Sequence, residues 1–74
     1  MHFSSHRLLD DGTLERELTL HGAPGILWTP SIASASTPVP LILLGHPGGL
    51  EAMYPRLEAR ARHAAGLGYA AAAL

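Results

Sequence analysis

Seventy-four residues hold one domain at most, and a chain of that size buries only ~60 % of its unfolded surface. No cysteine is present to add a disulfide, and a net charge of −1 excludes the basic field that nucleic acid or an anionic membrane would need. A hydrophobic share of 47 % is ordinary for a globular chain and argues against intrinsic disorder.

Met1 to Arg7 carry no apolar core of a signal peptide, and no run approaches the ~20 apolar residues of a spanning helix. The expected location is therefore the cytoplasm. Residues 1–13 read as a weakly patterned tail. Within them Asp10-Asp11-Gly12 is a turn cluster whose Asp-Gly pair can close a hairpin. His2 and His6 stand four apart, a spacing that can hold a metal on a helix, but a frayed tail with chance histidines is the plainer reading.

From Leu14 to Leu20 the pattern alternates. Leu14, Leu18 and Leu20 share one face with Arg16, and Glu15, Glu17 and Thr19 share the other. That period predicts a half-exposed strand near a sheet edge. His21 to Gly25 is a turn by composition, and Gly25 to Thr29 predicts a second strand, antiparallel to the first. Trp28 is expected in the core. Pro30 to Pro40, rich in Ser, Ala and Pro and without period, reads as a surface loop.

Leu41 to Gly45 is an apolar run suited to a strand buried on both faces, ending in His46-Pro47-Gly48-Gly49. Pro55 suits the first turn of a helix. Leu57, Ala61, Ala64 and Ala65 form its apolar stripe, and Arg56, Glu58, Arg60 and Arg62 face solvent, with Glu58 and Arg62 an i, i+4 pair. Gly66 is the expected C-terminal cap. Tyr69 to Leu74 is alanine-rich and could be helical on propensity alone. Two glycines separate it from the helix, so it is read as a central strand between covering helices. Residues 41–74 then make one βαβ unit with parallel strands and a right-handed crossover.

At His46-Pro47-Gly48-Gly49 the sequence resembles the α/β-hydrolase family in its dienelactone-hydrolase and carboxylesterase-like branches. The likeness runs from about Leu14 to Leu74: a strand pair, a buried strand, a His-Gly-Gly-type loop, a helix near Pro55-Arg56, and the step Gly66-Leu67-Gly68-Tyr69-Ala70. The resemblance implies an α/β fold, here a partial, truncated hydrolase sheet in which an antiparallel pair precedes one βαβ unit. It also implies a serine hydrolase of carboxylic esters or related acyl bonds, with an ester-type small molecule as substrate and no cofactor. In that family the loop gives one backbone N–H of the oxyanion hole. Carried over, Gly48 N–H is the first candidate and Gly49 N–H the second. Pro47 has no N–H to give and departs from the family's commoner His-Gly start, which leaves the donor's position open. His46 orients the loop and is not the base, while Met53 and Tyr54 fall where the family often lines its acyl pocket.

The chain holds no G-x-S-x-G elbow, and its serines, Ser4, Ser5, Ser31, Ser34 and Ser36, fall in the tail or the Pro-rich loop. Alone it is expected to be inactive, the opening part of the domain. H-P-G-G by itself is a weak motif, since glycine turns follow many strands. It matches neither the phosphate loop nor G-x-G-x-x-G. A different class also fits: a non-catalytic α/β module, completed by self-association or by a partner chain that covers its open sheet.

Overall fold

The structure, a computed structural model, describes residues 1–33 and 36–74. Its elements in chain order are β1 (His2–Leu8), β2 (Leu14–Leu20), β3 (Ala23–Thr29), β4 (Leu41–Leu43), α1 (Leu50–Gly66) and β5 (Ala70–Ala73). The strands form one sheet in the order β1-β2-β3-β5-β4. The first three are antiparallel neighbours, β5 runs antiparallel to β3, and β4 runs parallel to β5. This is a small mixed α/β domain.

β2 has the bounds its alternation predicts, and it pairs with β3 from Leu14–Thr29 to Leu20–Ala23. The turn between them is tighter than composition suggests. Only His21 and Gly22 lie outside the strands, both with positive φ, the geometry of a two-residue hairpin turn that follows the sheet's twist. β3 therefore starts at Ala23 rather than Gly25. Pro24 fits because β5 reaches only Ile26 to Trp28 of β3, so its missing N–H breaks no ladder on that side.

Residues 2–8 are not a tail. They form edge strand β1, joined to β2 by the turn at Asp10-Asp11-Gly12, where Leu9 N–H donates to Thr13 O at 2.8 Å and Gly12 N–H to Leu9 O at 3.1 Å. The run HFSSHRL hides its period because a bulge between Phe3 and Ser5 shifts the register. That shift sets His2 opposite Thr19 and His6 opposite Arg16, on opposite faces of the sheet. Ser4 and Ser5 belong to this strand, and Ser34 of the Pro-rich loop lies, with Ala35, outside the described residues.

The helix begins at Leu50, five residues before Pro55, which sits inside it. Gly49, at φ +90°, is the break that starts the helix, and Met53 N–H donates to Gly49 O at 3.0 Å. At the other end the last turn closes two residues beyond Gly66. Gly68, at φ +88°, donates to Ala65 O and Tyr69 N–H donates to Ala64 O, the paired bonds of a Schellman motif. Gly68, not Gly66, holds the left-handed position that a side chain resists.

The core lies between α1 and one sheet face. Ile26, Trp28, Ala71 and Ala73 from the sheet meet Leu57 and Ala61 from the helix, with Leu9 closing the side and Trp28 fully buried. β5 is central and buried along its length, because four methyl side chains let α1 and both neighbouring strands come close. β4 differs from expectation. It is the edge strand, only three residues long, with Leu41 56 % and Leu43 68 % exposed. Its apolar run reads as doubly buried, yet among the described residues α1 is the one helix and it covers one face.

Candidate functional site

β4 and β5 are parallel, so their carboxyl ends lie together, the usual place for ligands in sheets of this kind. Leu44 N–H still reaches Ala72 O at 2.8 Å, and then the chain leaves the sheet through His46-Pro47-Gly48-Gly49. Gly49 N–H donates back to His46 O at 2.9 Å, closing a β-turn with Pro47 and Gly48 at its corners. Proline suits the first corner because its φ is already fixed there. Gly49's N–H is thus used in closing the turn. Among the described residues no acceptor takes the N–H of Gly48, which stands exposed at the tip.

Two side chains hold this loop. His46 Nε2 lies 2.6 Å from Leu74 O, and since a carbonyl only accepts, Nε2 carries the hydrogen. The bond ties the start of the turn to the residue after β5. Beneath the tip, Met53 packs against Gly48: a Cβ there would meet Met53 Cγ and Sδ at 3.3 Å each. Met53 also touches the core cluster, so the loop rests on packed side chain.

Beside α1's first turns a groove of about 840 Å³ opens between the helix and the sheet, lined by Arg7, Glu15, Glu17, Ile26, Glu51 and Tyr54 among others. It exists because α1 lies over β3 and β5 and leaves the helix-side face of β1 and β2 open. Tyr54, expected in an acyl pocket, lines this groove and turns its hydroxyl away from the glycine loop to Glu15. Met53 supports Gly48 and does not line the groove.

Glu15 is the residue that the pattern hides. Alternation assigns it to the solvent face with Glu17, yet it is 7 % exposed under the start of α1. Its Oε1 accepts from Trp28 Nε1 at 2.8 Å and from the Tyr54 hydroxyl at 2.6 Å, while Oε2 stands 3.9 Å from Arg7 Nε. Burial, then the bond to Glu15, drives the Tyr54 pKa above its ordinary value, so the phenol stays protonated and donates. The signal that could have found this cluster is Trp28: a buried indole N–H takes an acceptor, and the residue facing it across β2 is Glu15.

A second polar cluster joins α1 to the β1–β2 turn. Arg62 meets Asp10, Asp11 at 2.9 Å and Glu58 at 3.3 Å, so the expected i, i+4 pair is present. Arg62 is not a free solvent-face cation, however; it reaches back to the turn, while Arg56 and Arg60 remain exposed. Among the described residues no group of three or more metal-type side chains converges, and no helix is long and apolar enough to cross a membrane. No family model matches the chain, and no curated protein or solved structure matches it.

Proposed function

We propose that these residues form the oxyanion-loop arm of a serine hydrolase of the α/β-hydrolase type, acting on carboxylic esters or related acyl bonds. The observation that carries the reading is the spare N–H of Gly48 at the carboxyl end of a parallel strand, on a turn braced by Met53 and His46. Acyl transfer puts negative charge on a former carbonyl oxygen, and a fixed donor aimed at it is worth ~3–4 kcal/mol. In this reading Gly48 is the donor, Gly49 shapes the turn, and the nucleophile, acid and base come from residues other than these 74.

The test uses the complete protein in which these residues stand. Hydrolysis of p-nitrophenyl butyrate and labelling by a fluorophosphonate are expected. Gly48→Pro, which deletes the N–H, should cut kcat by ~10²–10³ and slow labelling too, while Gly48→Ala, which sets the same Cβ against Met53 but keeps the N–H, should retain most of kcat. A protein that neither labels nor turns over ester overturns the reading. The 74-residue chain alone should do neither.

A second reading, a non-catalytic module completed by another chain or copy, is favoured by the exposed leucines of edge strand β4. Sedimentation across a hundredfold dilution decides it. Folding that weakens on dilution supports it, and a dilution-stable folded monomer rejects it.

A further inference from the structure

Among the described residues no helix covers the sheet face away from α1, which is apolar and only partly exposed, and it holds one feature out of keeping with a solvated surface. Strand register places Leu14, Leu18, Leu27, Ala72 and Leu43 on this face, with Arg16 among them; Leu18 and Ala72 are buried by their own neighbours, Leu14, Arg16 and Leu27 are half-buried, and Leu43 is exposed. Arg16 stacks its guanidinium over the Phe3 ring at 4.3 Å, and its Nε is buried without a hydrogen-bond partner. Among the described residues no carboxylate lies within 4.0 Å of it. Every acidic residue of β2 points the other way, toward α1.

From this we infer that the bare face seats an amphipathic helix whose apolar stripe carries one carboxylate opposite Arg16. A face bearing parallel strands calls for a cover, and helices supply it. Arg16 then dictates the chemistry of that cover. Desolvating a guanidinium whose Nε already lacks an acceptor is unfavourable unless the cover brings an anion. A wholly apolar helix or an acyl chain offers none. A second copy packed face to face would bring another Arg16 and no carboxylate of β2, like charge against like. A carboxylate neutralises the guanidinium as it is covered and pairs with its planar fork.

The probes are two fluorescein-labelled 18-residue amphipathic peptides with a leucine stripe, one with Glu at its centre and the other with Gln, read by anisotropy on the 74-residue chain. The Glu peptide is expected to bind at least about tenfold more tightly, as a charge-assisted bond implies. In Arg16→Met the two peptides should become equal. Leu43→Glu, at an exposed position that leaves the core alone, should weaken the Glu peptide by about tenfold. Equal binding of the two peptides to the unaltered chain, no binding of either, or indifference to Leu43→Glu would each overturn the inference. So would a face-to-face dimer that excludes the peptides.

Discussion

Glu15 and Arg16 are neighbours on one strand, and the two faces of the sheet part them. Glu15 is covered by α1, and its Oε1 holds two donors. Arg16 lies on the bare face against Phe3, with a buried Nε and no acceptor. A charged side chain buried under a helix has become an organising centre there, because its partners were built around it. On the other face a charge of opposite sign lacks that surrounding. Where α1 lies over it the sheet is thus a finished structure, and on the other face it is an unfinished one.

Substitutions on the two faces should differ accordingly. Leu57→Ala, in the core under α1, is expected to destabilise by ~2–5 kcal/mol, enough to unfold much of so small a chain. Leu43→Ala on the bare face should change stability by no more than ~0.5 kcal/mol. Urea unfolding followed by the fluorescence of Trp28, the one tryptophan, measures both, and equal losses would mean that the faces are not different. Glu15→Leu leaves the Trp28 N–H without an acceptor and removes the Tyr54 hydroxyl's bond to Glu15, and should destabilise by roughly 1–3 kcal/mol. Glu15→Gln keeps an acceptor oxygen and should lose less; a glutamine variant as weak as the leucine one would show that charge, not acceptance, matters.

The pH dependence sharpens the contrast at the far end of α1. Thr13 N–H donates to the Asp11 carboxylate at 3.0 Å, and Arg62 adds to it, holding the Asp11 pKa at about 2 against 3.8. The folded value is the lower one, so the stabilisation is present above pH ~4 and is lost as pH falls through about 2. Asp11→Asn should therefore unfold more easily than the unaltered chain at pH 6, and the gap should close toward pH 2. Smallest of all, Arg16→Met should shift stability by ~0.5 kcal/mol or less, the loss of the Phe3 contact being offset by removal of the unpaired Nε. A large loss would mean that the bare face already has a cover in solution.

What could be read from the residues was local. β2, both hairpin turns, the apolar stripe of α1 and the alanine strand all follow from period or turn chemistry. Sequence reasoning lost β1 to a bulge, and it placed the helix start too late because Pro55 looks like a first-turn residue. On β2 the departure is Glu15, which is buried while Leu18 is buried and Glu17 exposed as the alternation implies. Leucine at 14, 18 and 20 marks the apolar side, but α1 lies over the side of Glu15, and only pairing with Trp28 and Tyr54, 13 and 39 residues away, makes that placement stable. In the candidate site the turn and its glycines were legible. Which N–H is spent on closing it, and which side chain lies under it, depend on the turn's actual geometry.

The four alanines of β5 carry a consequence for how the molecule comes apart. Alanine favours helix and is a poor strand former, so Ala70–Ala73 is extended only while β3 and β4 clamp it from both sides. β4 is the weaker clamp, three residues at an open edge. Fluctuations that peel β4 away would release the middle of the sheet along with its rim, and the freed alanines would drift toward coil or helix. Amide exchange at Ala70 to Ala73 should then run at the rate set by the edge strand, although these residues are among the most deeply buried in the chain.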